Sequence, residues 1–384
     1  MPQVKPEVET FARIKVVGVG GSGKNAVNHM INSQVKGVDF IAVNTDAQDL
    51  HHSLAKKKIQ IGKNVTRGLG AGMNPDLGRR AVEETKEEIQ EALKGADMVF
   101  VTCGFGGGTA SAAAEPVIMM AKELGALTVA VVTKPFFFEG QQRMRIAEQA
   151  LDGVRKVVDA IIIVPNDRLL NVISKETTAK NAFAMCDEVL KEAVEGISDL
   201  ITTPGMINID FADVRSIMQD AGSALMGIGT ASGENRAVEA AKMAINSPLL
   251  DISITGAKGV LFSIAGGDDM TMYEIQEAAK VITESVDPDA RIIFGTIYSD
   301  KLKKGEIRIT VIATGFPEPA SKRASLFPPI VGKDKEKEKE ERGKIHNTFP
   351  ADAKPEQKKE PTVIEDNEDD WGAVPAFLRR SKLK

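Results

Sequence analysis

Three glycine-rich runs have the residue types that wrap an anion: Gly18-Val19-Gly20-Gly21-Ser22-Gly23-Lys24-Asn25, Gly68-Leu69-Gly70-Ala71-Gly72-Met73-Asn74-Pro75 and Gly104-Phe105-Gly106-Gly107-Gly108-Thr109. Glycine lets backbone amides close on an oxyanion, and a helix that starts at such a turn adds the positive end of its dipole. The first run fits the dinucleotide pattern G-x-G-x-x-G. It nearly fits a P-loop as well, but Asn25 stands where that loop needs a hydroxyl for magnesium. No Asn-Lys-x-Asp base-reading motif occurs, and no acid closes the apolar run at 98–102, so the P-loop reading weakens. Several such turns at one sheet edge suit a triphosphate better than one pyrophosphate, with the Thr109 hydroxyl as a further donor. A second kind of chemistry lies in Asn208-Ile209-Asp210-Phe211-Ala212-Asp213, where two carboxylates stand three residues apart. Spacing alone reads these as the cap and first-turn acid of a helix.

The elements that must hold these residues follow from periodicity. From residue 13, short β-branched runs at 14–19, 40–43, 98–102, 127–132 and 160–164 alternate with helical patterns, the first of them at 22–32. That is β-α-β spacing, hence parallel strands with helical crossovers, and ligands of such sheets sit where the strands end. Phe183, Cys186, Leu190, Val194, Ile197 and Ile201 repeat every three or four residues and predict a long amphipathic helix over 179–202, able to join two domains. Further strands are expected at 206–209, 225–228, 259–264, 291–297 and 306–313, with helices at 212–219, 233–245 and 271–285. The expected order is a flexible N-terminus at 1–12, a ligand-binding domain at 13–178, a connecting helix at 179–203 and a smaller α/β domain at 204–316. A linker at 317–370, too poor in apolar residues to repay ordering, and a terminal peptide at 371–384 complete it. That peptide carries the chain's only tryptophan, Trp371, beside apolar and basic residues and reads as a docking motif.

Composition narrows the classes. A net charge of −5 gives no field for phosphodiester backbones, so nucleic acid is not expected as a partner. Aromatic residues are only 5% of the chain while glycines number 34, which favours phosphate loops over base-stacking platforms. Cys103 and Cys186 lack any metal-ligand spacing and are expected as buried thiols, and His51 and His52 as a solvated pair. No signal-peptide core and no apolar run of about 18 residues occur, so a cytoplasmic protein is expected.

Taken in order, the loops resemble the tubulin/FtsZ family of GTPases: 104–109 is similar to its signature loop, Asn44-Thr45-Asp46-Ala47-Gln48 to its second loop and 68–75 to its γ-phosphate loop. The resemblance covers about 11–316 and the last dozen or so residues. It implies a Rossmann-like parallel sheet, a long connecting helix and a smaller α/β domain. It also implies that Gly20, Gly21, Ser22, Gly23, Lys24 and Asn25 line the phosphates of GTP or GDP, together with Ala71, Gly72, Gly107, Gly108, Thr109 and Ala110, with Asn44 and Asp46 in the second loop. Lys24 adds positive charge there or is a solvated helix-start lysine. Glu139 resembles the ribose-binding acid and Arg143 its neighbour, while Asn166, Phe183 and Asp187 resemble the guanine site. A carboxylate accepts both N–H groups of a guanine edge, which favours GTP over ATP; the alternative for Phe183 is a plain core residue. Asp210 and Asp213 resemble the loop whose two acids enter the next subunit's site, so hydrolysis would be completed in trans and rise on assembly. Magnesium bound to the phosphates is implied, with no all-protein metal cage. Also implied are a head-to-tail homopolymer, a mid-cell division ring, and contacts of 371–380 with membrane-tethering and regulatory division proteins, membrane contact being indirect.

One departure bears on the chemistry. The family's signature usually continues Gly-Gly-Gly-Thr-Gly-(Ser/Thr)-Gly, whereas Ala110 and Ala112 replace two glycines here. In a helix Ala110 is favoured by up to about 1 kcal/mol; in a left-handed backbone it would cost roughly 1–2 kcal/mol. Two other readings stay open: an NAD-dependent Rossmann oxidoreductase, with Asp46 as its ribose acid, and a GTP-binding scaffold with little hydrolysis.

Overall fold

The computed structural model describes residues 12–170, 176–247, 254–299 and 302–316. The linker and terminal peptide expected at 317–384 and the N-terminus at 1–11 lie outside these residues. In chain order the first half runs β1 (Ile14–Val19), α1 (Gly20–Asn32), β2 (Val38–Asn44), α2 (Ala47–His51), β3 (Lys57–Gln60), α3 (Lys63–Thr66), α4 (Pro75–Glu84), α5 (Lys86–Leu93), β4 (Met98–Gly104), α6 (Gly108–Glu123), β5 (Leu127–Lys134), α7 (Gln141–Arg155), β6 (Ala160–Pro165) and α8 (Asn166–Leu170). After the long helix α9 (Ala179–Thr202) come α10 (Phe211–Met218), β7 (Gly222–Ser232), α11 (Arg236–Ile245), β8 (Gly259–Gly266), α12 (Met272–Thr283), β9 (Arg291–Tyr298) and β10 (Glu306–Thr314).

The strands form one sheet in the order β3-β2-β1-β4-β5-β6-β7-β10-β8-β9. Pairing is parallel from β3 to β7; β10 is antiparallel to β7 and β8, and β9 is parallel to β8. The parallel strands are covered on both faces, which is why they read as unbroken apolar runs. Alternation divides β1: Val17 and Val19 join the core under α4–α7, while Ile14 and Val16 join the one under α1 and α9. The second core gathers Leu190, Val194 and Ile197 of α9 with Ile161's neighbour Ile162 and also with Leu261 and Ile312, so α9 packs on both halves of the sheet. A third core lies between α11, α12 and strands β8 and β10. Both cysteines are buried.

The strand expected at 206–209 is absent. Pro204 and Gly205 break the extended run, and the Asn208 side chain accepts from Gly205 N at 2.7 Å, which folds the segment into a loop. This loop bonds to β9 where Ile207 N donates to Thr296 Oγ1 at 2.8 Å and Thr296 N to Ile207 O at 3.0 Å, and Ile209 buries in the second core. The helix expected from 233 begins at Arg236, after a turn.

Candidate functional site

The chain leaves β1 for α1 on one face of the sheet and its neighbour β4 for α6 on the other. Strand order therefore reverses between β1 and β4, which opens a crevice at their carboxyl ends. Both helices point their N-termini into it. Neither has a side-chain cap, and neither carries an acid in its first turn. The first amides of each helix are thus not satisfied by the chain's own caps, and the two dipoles add where an anion would sit. The approach is close: Gly20 has φ +74°, and a Cβ on it would lie 3.2 Å from the Ala110 Cβ. Ala110 is the third residue of α6 and has no positive φ, so the helical alternative for this residue holds.

A cavity of about 390 Å³ extends from these helix starts. Gly20, Gly21, Ser22, Asn25, Gly107, Gly108, Thr109 and Ala110 form one end; Glu139 and Arg143 flank the middle; Asn166, Phe183 and Asp187 form the other end. Glu139 accepts from Phe136 N at 3.0 Å and pairs with Arg143 at 2.7 Å, which fixes its carboxylate. Phe183 is 48% exposed and meets Phe136 edge-on at 5.4 Å, so it is not a core residue. Burial pushes the Asp187 carboxyl up to about 6, against the opposing pull of His29 and Lys24. The Asn166 side-chain oxygen is buried without a hydrogen-bond partner. A half-exposed ring, a carboxylate and an unpartnered amide oxygen suit a flat heterocycle with N–H donors on its edge.

Six of the residues expected at the nucleotide do not line the cavity: Gly23, Lys24, Asn44, Asp46, Ala71 and Gly72. A Cβ on Gly23 would press on the backbone of Gly18 and Thr102, so this glycine lets α1 pack on its own sheet. Asp46 caps α2, accepting from Asp49 N at 2.9 Å. Ala71 is buried against Gly108, where a Cβ would come within 2.9 Å of the Ala71 Cβ and 2.7 Å of Asn74 N. Gly72 takes φ +54° with open space around it. Lys24 is buried rather than solvated, with its Nζ 2.6 Å from Asp49 Oδ1.

The cavity also includes Gly104 and Phe105 of the third glycine run, and Thr133, Pro135, Cys186 and Leu190, which the sequence reading did not assign to it. Thr133 and Pro135 lie at the end of β5, and Cys186 and Leu190 share a helix face with Phe183 and Asp187, so strand exits and three-and-four spacing would have found them. Asp49 gave no such signal.

Asp210 and Asp213 lie elsewhere. Asp210 caps α10 by accepting from Asp213 N at 2.8 Å, and both side chains belong to exposed residues. On the same helix Arg215 donates to Gly125 O at 3.3 Å, just before β5 begins. The cavity opens at the far end of that strand. Eight residues at ~3.3 Å each put roughly 25 Å between the two edges.

Two bare helix starts at a switch point, continued by a pocket for a heterocycle, define an α/β protein that binds nucleotide phosphates. Comparison with known proteins gives the family. Residues 13–174 match the model of the tubulin/FtsZ family GTPase domain and 222–317 that of the FtsZ family C-terminal domain. Among solved structures the chain is similar to an empty FtsZ dimer of M. jannaschii, with 44% identity and a TM-score of 0.77 over 80% of this chain and 89% of that one. The fold is shared with CetZ2 of Haloferax volcanii in a GTPγS-bound protofilament, at 22% identity and a TM-score of 0.69 over 80% of this chain and 94% of that one. The GDP-bound monomer of CetZ1 from the same organism gives 18% and 0.70 over 80% and 95%. The chain belongs to the tubulin/FtsZ family; it is a GTPase that binds GTP and GDP, not a nicotinamide enzyme. Among the described residues no group of three or more His, Cys, Asp or Glu side chains is placed to hold a metal ion, and no helix is long and apolar enough to cross a membrane.

Proposed function

We propose that this GTPase assembles head to tail into filaments for cell division and completes hydrolysis in trans. The observation that carries this is the distance between its two chemistries: the cavity and the Asp210–Asp213 pair lie at opposite edges of one sheet, roughly a β5 length apart. A chain so arranged has half a site at each end. Stacking one copy on the next joins them, and the heterologous contact repeats as an open filament. Exposed apolar side chains at both ends favour such a contact: Leu69 and Phe137 beside the cavity, and Met206 on the approach to Asp210. The 44%-identical M. jannaschii protein was solved as a dimer.

Within the site, the amides that open α1 and α6 hold the phosphates. Glu139, fixed by Arg143, accepts from the ribose hydroxyls, and Asp187 with Asn166 reads the guanine edge beside Phe183. Asp210 and Asp213 of the next subunit orient the attacking water. Magnesium, when bound on the phosphates, supplies charge neutralisation there, consistent with an anion cradle that has no acids of its own. We keep the division into 13–178, 179–203 and 204–316, supported by the change to antiparallel pairing after β7 and by the bounds of the two family models. The terminal peptide at 371–380 would dock to membrane-tethering division proteins, keeping the polymer cytoplasmic and placing it at mid-cell.

Phosphate release against protein concentration, with sedimentation alongside, tests the assembly dependence: specific turnover rises with concentration and pelleting. Trans completion has a sharper test. Asp210→Asn keeps the helix cap but removes the acid, and should cut turnover by about 10²–10³ with GTP still bound. Mixing it with a variant unable to bind GTP should restore part of the turnover, since mixed contacts contain one complete site. No recovery in co-sedimenting mixtures would place the acids in cis or outside the reaction.

A further inference from the structure

Lys24 is not the solvated helix-start lysine that the sequence left open. It is buried under the first turns of α1, with its Nζ 2.6 Å from Asp49 Oδ1. The other Asp49 oxygen accepts from Asn44 Nδ2 at 2.8 Å. Asn44 Oδ1 in turn accepts from Thr45 N at 2.9 Å, and the Thr45 and Thr109 hydroxyls meet at 2.6 Å. Thr109 lines the cavity in the first turn of α6. A continuous polar chain therefore runs from an ammonium behind α1 to the start of α6. Asp49 also stands close behind the cradle: a Cβ on Gly21 would lie 3.6 Å from its Oδ2. A bare carboxylate there would repel phosphate through a medium of low effective dielectric. Among the described residues Lys24 is the cation that pairs with Asp49.

We propose that Lys24 and Asp49 are a positioning pair for the polyphosphate. Lys24 cancels the Asp49 charge, and the neutralised carboxylate holds Asn44 so that the Thr45–Thr109 contact fixes the start of α6. This rests on the reading of α1 and α6 as the phosphate cradle. It makes the effect of losing Lys24 grow with the number of phosphates, because an uncompensated carboxylate acts on charge.

The test is calorimetric titration of the full chain with GTP, GDP and guanosine, for Lys24→Met, Asp49→Asn, the double variant and Gly107→Asp. Lys24→Met should weaken GTP about thirtyfold and GDP about fivefold, and leave guanosine unchanged. The double variant should return GTP to within about threefold of the starting protein, and Asp49→Asn should bind GTP as well or more tightly. Equal losses for all three ligands, unchanged GTP binding in Lys24→Met, or a double variant no better than Lys24→Met would overturn the proposal. If Lys24→Met fails to fold, weakened GTP binding in Asp49→Asn overturns it. GTP binding that survives Gly107→Asp would instead refute the cradle itself.

Discussion

Four helix starts pose one problem and solve it in two ways. In the carboxyl-terminal half, Asp210 caps α10, and at α12 Thr271 and Glu274 exchange bonds, Thr271 N donating to Glu274 Oε2 at 2.8 Å and Glu274 N to Thr271 Oγ1 at 3.2 Å. At α1 the cap position is Val19 and at α6 it is Gly107, and no side chain caps either helix. A start without a side-chain cap costs stability against a good cap, by about 1 kcal/mol for an apolar residue and only a few tenths for glycine. Val19 and Gly107 at the cap positions keep that deficit, leaving amides for a ligand to satisfy. At these four starts the caps are internal away from the cavity and missing where the cavity lies.

Giving α6 a cap of its own breaks this contrast with the largest effect. Gly107 has φ −91° and ψ 174°, and a Cβ there meets nothing within 4 Å, so Gly107→Asp fits without strain. Its carboxylate would take the amides and repel phosphate. GTP affinity should fall about a hundredfold or more while thermal stability holds or rises, read by calorimetry and a melting curve. A variant that melts early and binds normally would reverse the assignment of the two regions.

The opposite test removes an internal partner. Arg236 starts α11 and is buried, holding Glu274 at 2.6 Å and Asp269 at 2.7 Å. Arg236→Met leaves the Glu274 carboxylate without its cation, still held by Thr271, and should cost about 1.5–3 kcal/mol in denaturant unfolding without changing GTP affinity. The Arg236 guanidinium holds the Glu274 carboxyl down at about 2, below its unfolded value. A depressed carboxyl contributes its full stability above the unfolded pKa and loses it as pH falls through the folded one. The gap between the parent and Arg236→Met should therefore narrow on acidification towards pH ~2. A gap independent of pH would mean that packing, not the pair, carries the loss.

At the base end of the cavity the ionisable group is itself the sensor. Asp187 is raised to about 6 by burial, so it is ionised at neutral pH and protonated below. Only the ionised form accepts both N–H groups of guanine. GTP affinity should drop about fourfold between pH ~7.5 and ~5.5, with Asp187→Asn weak and flat across the range. Equal pH slopes in both proteins would move the titration to another group.

How much of this division was legible in the sequence depends on the range of the contacts. The buried parallel strands read correctly because each is a continuous apolar run, and α9 because one face repeats over 24 residues. The edge strand β3, Lys57–Gln60, was not seen: two of its four residues are exposed lysines, as suits an edge. The false strand at 206–209 has the opposite cause: Ile207 and Ile209 turn inward in alternation as in a strand, but the segment bonds to the sheet only at Thr296 and builds no ladder. The bare helix starts were visible as glycine runs. The state of Lys24 was not, because Asp49 lies 25 residues away and the pair forms only when α1 and α2 meet.

The smallest effect isolates the last difference between the two phosphate helices. At Gly20 the backbone has a positive φ that only glycine adopts at little cost; at Ala110 it is helical, so the methyl group is tolerated and buried. Ala110→Gly should lower stability by about 1 kcal/mol through helix propensity. It also withdraws a methyl from the cradle beside Gly20, so GTP turnover should be preserved or raised. Melting and phosphate release measured on one preparation read the two effects separately. A large loss of GTP affinity would show that the Ala110 methyl shapes the phosphate pocket, and the cradle would then owe its form to a side chain as well as to bare amides.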